Sequence, residues 1–375
     1  MKLPVVPTLL PLFLLTLVPA WRAAGQGSLV PPGAPSPMFK TLQQIEPRTP
    51  IGSLPYIITQ PGSYYLTTNL TGTFGQHGIT VIADDVTLDL GGFSLQGGGS
   101  GLSGIVVTGF RRNLRLRNGT ISDWTGMGVA AFGAVDSSFE GLHLQRNTGT
   151  GLDAGSNSVI RACTAVENGA GIAAWRGSVI TDCVARGNRG NGLVANAGSS
   201  IQRCLASQNG DTGIRLAAGG LVTDCVSHAN GTNGVTASQS VISRCSISQN
   251  GGVGIEAGLA SHVSGCVIQG NRGDGLRIDS GAVVTDNVCS GNGTSTAHAA
   301  IHAAGTANRI EGNNVVFNTT ARGIRAPEAG NVVIRNTASQ NNGNYDVPAN
   351  AFLGIIVGSP DALNTASNAL SNVSY

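Results

Sequence analysis

The chain has 375 residues, 55 of them glycine, with 41% hydrophobic and 11% charged residues and a formal net charge of +2. That balance excludes a disordered chain, which would be poorer in apolar residues and more strongly charged. With no basic run to follow a phosphate backbone, it also excludes a nucleic-acid partner.

Residues 1–25 read as a signal peptide. Lys2 supplies the positive start, residues 9–18 the apolar run, and Ala23, Ala24 and Gly25 the small residues of a cleavage site. The run is too short for a membrane span, and no later segment reaches the ~20 apolar residues a span requires. The expected product is secreted, extracellular or in the cell envelope, monomeric and without a transmembrane segment. Residues 26–37 form a Pro/Gly-rich linker. Residues 38–343 are expected to hold an N-terminal cap and a parallel β-helix. Residues 38–45 are apolar enough to cover the open sheet edge of such a stack, and residues 56–67 enter its first coil.

The body of the chain repeats one short unit. Cysteines stand at 163, 183, 204, 225, 245 and 266, always 20 or 21 residues apart, and an asparagine follows each by five. The same frame extends back to Phe93, Gly119 and Leu142 and on to Asn287, Asn313 and Asn336, which makes twelve coils. Each opens with Gly and an aliphatic residue, as in Ile172/Ala174, Leu193/Ala195 and Ile214/Leu216. This period-two pattern marks a short strand with one buried face. Two further apolar stretches and the Gly/Asn corners complete a rung, and Asn-Gly suits a left-handed turn residue. A fixed short period means a solenoid. The Leu-x-x-Leu-x-Leu frame of leucine-rich repeats and the hexapeptide rhythm of a left-handed β-helix are both absent. The fold class is therefore all-β, a right-handed parallel β-helix of about twelve coils capped at both ends. Residues 344–375 lose the frame and are expected to fold back as the C-terminal cap.

Six cysteines in single file fit neither disulfide geometry nor converging metal ligands. They read as small buried apolar residues in a stacked column. The asparagines read as a second column of stacked amides.

Residues 60–66 (Gln-Pro-Gly-Ser-Tyr-Tyr-Leu), residues 86–93 (Val-Thr-Leu-Asp-Leu-Gly-Gly-Phe) and the Gly-Ile…Asn repeats resemble secreted bacterial proteins with right-handed parallel β-helix repeats, of the pectin-lyase-like superfamily. The resemblance covers residues 38–350. It implies the fold, and it attaches no particular reaction to this subgroup, because the fold hosts lyases, hydrolases, epimerases and tailspikes.

Chemistry on such a fold lies on outward faces. The row two after each coil opening reads Asp153, Ala173, Val194, Arg215, Thr236, Glu256, Arg277, His302, Arg325. The position two further on adds Trp175 and Asp279, and Asp274 lies just before its coil opening. Glu256, Asp274, Arg277, Asp279, His302 and Arg325 thus form a candidate substrate-binding patch. Arginines pair carboxylates, a carboxylate or His moves protons, and acidic groups can hold Ca²⁺, although no cofactor is required by any motif. The bland alternative is a solvated, salt-bridged face, with Glu256 and Asp279 competing for Arg277. Polygalacturonase-like Asp pairs, pectate-lyase signatures, Ser-His-Asp spacing and zinc motifs are absent, so no catalytic residue is assigned. The expected function is binding, with processing as an extension, of an extracellular polysaccharide, an acidic one where the arginines pair its carboxylates. An enzyme here would be a polysaccharide lyase or a glycoside hydrolase. The alternative is a non-catalytic surface or envelope solenoid, structural or adhesive.

Overall fold

The computed structural model describes residues 46–348, 352–357 and 369–375. The chain divides into a unit of residues 1–47 and a unit Arg48–Tyr375. The signal peptide, the linker and the cap expected at 38–45 lie outside the described residues. From Arg48 onward every strand pairing is parallel, and no helix occurs among the described residues. A typical coil has three strands. Ile172 and its neighbours, Ala170–Ala174, lie in one sheet; Val179–Thr181 and Val184–Arg186 lie in another. The first sheet position recurs in a 14-stranded sheet, here the narrow sheet, and the other two in a 28-stranded sheet, here the broad sheet.

Fourteen strands in the narrow sheet correct the expected twelve coils. One extra coil precedes the frame, at Tyr56–Ile58, and one follows it, at Tyr345–Asp346. The C-terminal segment expected to leave the frame instead carries it on. Phe352–Leu353 pairs with Val332–Ile334, and Asn372–Ser374 pairs with Thr337–Ser339. The sequence hides this because 36 residues separate Asn336 from Asn372, where most coils take 20 or 21.

The period-two pairs do point inward. Ile172, Leu193, Ile214 and Val235 on the narrow sheet, and Ile160, Ile180, Ile201 and Val222 on the broad sheet, are at most 1% exposed. Each such side chain contributes ~1.5–3 kcal/mol by leaving water. All seven cysteines are free and at most 3% exposed. Each column thiol donates to a nearby carbonyl, as Cys183 Sγ does to Thr181 O at 3.2 Å. Burial pushes the Cys289 thiol up to about 12.

The asparagine column is a relay of buried amides. Asn188 Nδ2 donates to Ala165 O (3.1 Å) on the previous coil and to Asn209 Oδ1 (2.9 Å) on the next, and the Asn188 backbone N–H donates to that same Oδ1 (3.2 Å). Asn209 repeats this toward Asn230, and Asn230 toward Asn250. Every polar atom of the amide is therefore satisfied in the dry interior. Where the cysteine column ends, Asn287, Asn313, Asn336 and Asn372 form a second relay. A serine column, through Ser158, Ser178 and Ser199, lines the third corner.

One turn assignment needs correction. Gly293 after Asn292 is left-handed as expected (φ 77), but in the pairs at 168, 209, 230 and 250 the left-handed residue lies just before each column instead: Asp182 (φ 55), Arg203 (φ 50) and Asp224 (φ 55) before cysteine, Glu167 (φ 57) and Gln208 (φ 56) before asparagine. The Gly of those pairs has a different cause. A Cβ at Gly210 would run into the Arg189 carbonyl of the preceding coil. Close approach of stacked backbones, not φ, requires glycine there.

Candidate functional site on the narrow sheet

The register of the narrow sheet sets the outward row in single file. Asp153 stands beside Ala173, then Val194, Arg215, Thr236, Glu256, Arg277, His302 and Arg325 follow on successive coils, and Asp346 completes the row. Glu256, Arg277, His302 and Arg325 are thus brought together, one per coil, at a spacing of ~4.8 Å. Asp279 is exposed one residue past the strand end, next to Arg277.

Asp274 is the exception to an outward reading, because it is buried at 3% exposure. Its Oδ1 accepts from Ala299 N at 2.7 Å, and its Oδ2 lies 2.9 Å from His302 Nδ1. His298 Nδ1 is 3.7 Å from Oδ1. With the carboxylate as acceptor, His302 Nδ1–H donates and Nε2 is left to take a proton. Asp274 is therefore a positioning residue for the imidazole rather than a surface contact.

The competition for Arg277 that the salt-bridged alternative requires does not occur among the described residues. Glu256 Oε2 accepts from Asn233 Nδ2 at 2.8 Å, and Asp279 Oδ1 accepts from its neighbour Ser280 N at 3.0 Å. Among the described residues the exposed Arg277 side chain has no ion pair or hydrogen bond, although its backbone is paired on both sides. Arg325 differs. It donates through Nη1 to Ala297 O (3.0 Å), and its Nε faces Asp346 at 3.5 Å. It is thereby tied to the loop 293–298, which Thr294 also anchors through Arg272 O. This loop exists because 26 residues, not 20 or 21, separate Asn292 from Asn318.

Two depressions run along this side and share Glu256 and Gly258. One, about 550 Å³, extends from Val194 to Gly258, and the other, about 340 Å³, holds Arg277, Asp279 and Ala304. A larger one, about 620 Å³, lies on the broad sheet between Thr87 and Val159. Its acidic groups already have partners, Glu140 with Arg161 and Asp136 with Asn157. An unpaired cation marks a binding surface better than volume does, so the narrow-sheet track is the stronger candidate. Among the described residues no group of three or more His, Cys, Asp or Glu is arranged to hold a metal ion.

His298, Asn233 and Asp346 were missed in the sequence. The long 292–318 spacing was the available signal for His298. The partner of Glu256 left none.

A family pattern described as the right handed beta helix region matches residues 57–202 and 235–357, and the chain belongs to that family. No curated protein sequence matches it. Among solved structures, a double mutant of the periplasmic alginate epimerase AlgG superposes with a TM-score of 0.52 at 12% identity, over 70% of this chain and 77% of that one. The Azotobacter vinelandii mannuronan C-5 epimerase AlgE6 A-module gives 0.47 at 13% identity, over 87% and 89%. The Dettilon tailspike protein gives 0.40 at 13% identity, over 80% and 60%. The first of these likenesses agrees with the fold. No helix among the described residues is long and apolar enough to cross a membrane.

Proposed function

We propose that the outward face of the narrow sheet binds an acidic polysaccharide, with Arg277 as the residue that pairs its carboxylates. The observation that carries this reading is the exposed, unpartnered Arg277 guanidinium beside the His302–Asp274 pair. Its planar fork offers a carboxylate two parallel hydrogen bonds, and no protein carboxylate has to be displaced first. One solved structure sharing the fold is an alginate epimerase, which accords with a sugar polymer as ligand. Processing at this site would be of the lyase type. Arg277 would neutralise the sugar carboxylate and His302 Nε2 would take the proton from the carbon that bears it; a C=C bond then forms as the glycosidic C–O bond at the next carbon breaks, and water protonates the departing oxygen. A glycoside hydrolase needs two carboxylates flanking the bond, whereas Glu256 is held by Asn233 and Asp274 is buried.

The test is binding of a uronate polymer such as polygalacturonate at low and high salt. Arg277→Ala should weaken binding most at low salt, while thermal stability changes by under ~0.5 kcal/mol. Wild-type protein that binds no uronate polymer at low salt ends the reading. Release of unsaturated products, lost in His302→Ala, would extend it from binding to cleavage. Export belongs to the same proposal, on the pattern of residues 1–25; a secreted product beginning at Gln26 on N-terminal sequencing supports it, and one beginning at Met1 removes it.

A second reading, a structural solenoid, has one observation in its favour. The broad sheet carries exposed aliphatic rows, including Val159, Val241, Val226, Val267 and Val288 at 38–46% exposure. Sedimentation showing concentration-dependent self-association without any glycan binding would favour it.

A further inference from the structure

The charged site is one end of a longer track. Just past the narrow-sheet strands, successive coils place Phe132, Gly155, Trp175, Asn196, Ala217, Ser238, Gly258, Asp279 and Ala304 in one row. The ladder of backbone bonds continues through them, as from Trp175 N to Ala154 O and from Asn196 N to Ala174 O. Asn196, Ala217, Ser238 and Gly258 line the larger of the two depressions, and Gly258, Asp279 and Ala304 line the smaller. The far end differs in chemistry. Phe132 and Trp175 are 53% and 46% exposed, two coils or ~10 Å apart, with the bare Gly155 between them. Beside Gly155 stands Asp153 of the outward row. Its Oδ1 is shut off from solvent and has no hydrogen-bond partner among the described residues. Burial pushes this carboxyl above the ordinary range, against a smaller pull from Trp175. Two large rings thus flank, half in water, a carboxyl that Trp175 hydrogen-bonds on one oxygen and whose other oxygen, Oδ1, is left without a partner. An apolar ring face with an adjacent hydrogen-bonding group is what a sugar ring requires, since sugars carry C–H faces and hydroxyl edges.

We infer that Phe132, Asp153 and Trp175 form a second sugar subsite, built on ring stacking rather than on a cation, at the N-terminal end of the track that leads to Arg277. The inference rests on the polysaccharide reading above and adds a length requirement to it. Trp175 and Arg277 lie five coils apart, about 24 Å along the stack. A polymer touches both ends, and an oligomer shorter than that span touches one. Stacking is insensitive to salt, whereas pairing at Arg277 is screened by it.

The experiment compares wild type, Trp175→Ala, Trp175→Phe and Arg277→Ala for binding of polygalacturonate and of its di- and trisaccharides. Trp175→Ala should lose about tenfold in polymer affinity, a typical loss for an aromatic anchor. The loss should be equal at low and high salt, absent for ligands bound at Arg277 alone, and largely restored in Trp175→Phe. Polymer binding unchanged in Trp175→Ala, or lost equally for the shortest oligomers, overturns the subsite while leaving the charged site standing. Should wild type bind no uronate polymer, the charged-site reading falls first. The same variants are then measured against neutral polysaccharides, where no binding, or binding indifferent to Trp175, overturns the inference as well.

Discussion

The coils around Trp124 and those from Asn147 to Asn292 close the same corner in opposite ways. In the later coils the corner is a relay of identical amides, each completed by the coils on either side. In the earlier coils Trp124 occupies the amide position, 1% exposed, and ends the relay. Its backbone N–H takes the Oδ1 of Asn147, and its indole N–H goes to Leu95 O. Its ring fills space that several coils leave open. Side chains at Gly72, Gly78, Gly101 or Gly104 would all collide with it. The difference is between one large group that serves several coils and many small groups that each serve two. The ring absorbs irregular coil lengths, such as the 26 residues from Phe93 to Gly119, by filling space, whereas the relay keeps its geometry across a 26-residue coil such as Asn292 to Asn318 by sending the excess into a loop.

The largest expected effect breaks the first device. Trp124→Ala should cost ~3–5 kcal/mol in denaturant unfolding, because the surrounding glycines have no side chains with which to refill the cavity. Loss of under 1 kcal/mol would show that the ring is not the organising group of these coils. Asn209→Ala breaks the relay and should cost ~2–4 kcal/mol. It leaves the buried Asn188 backbone N–H without its acceptor and removes a donor from Ala185 O, while Asn230 Oδ1 keeps only the backbone N–H of residue 209. The same change at Asn147, where the relay begins, should cost less, since only one amide lies behind it. Equal costs at the two positions would refute a directional relay. Cys204→Ala should cost ~1–2 kcal/mol through a small cavity, and Cys204→Leu more, because the column has no slack. Alkylation of the unfolded chain should find the column thiols reduced.

The smallest effect concerns pH. Burial raises the folded-state Asp153 carboxyl above its unfolded value. Its contribution to stability is therefore present below the ordinary carboxylate range and is lost as pH rises through the raised value. Asp153→Asn should be more stable than wild type at neutral pH and should match it in acid. A variant less stable at neutral pH would reverse the assigned direction.

The regular coils were legible from sequence because translational stacking writes the same residue at the same interval. Cys183, Cys204 and Cys225, and Asn188, Asn209 and Asn230, could be placed in columns without any structure. The end coils were not legible, since Asn372 occupies a relay position that its spacing conceals. The Asn-Gly corners of the regular coils, unlike Asn292-Gly293, were misread for a physical reason. Turn propensity assigns glycine to a left-handed angle, whereas Gly210 is needed for the nearness of the Arg189 carbonyl. At the site, period two was enough to place Glu256, Arg277, His302 and Arg325 in one row. It did not give their partners, because Asn233 and Asp274 reach them from positions 23 and 28 residues away. Whether an arginine is free depends on such distant partners, so the most informative property of Arg277 was invisible to pattern alone.

The amide relay also bears on how such a chain changes length. Each asparagine offers the coil before it the same acceptor that it requires from the coil after it. Excision of residues 189–209 would leave Asn188 facing Asn230 with no amide orphaned. Whole coils can thus be duplicated or deleted as interchangeable segments, while any other insertion must be expelled into a corner loop, as at 293–298. Growth by tandem copying is built into the hydrogen bonding, and the groove on the narrow sheet lengthens or shortens by one position with every copy.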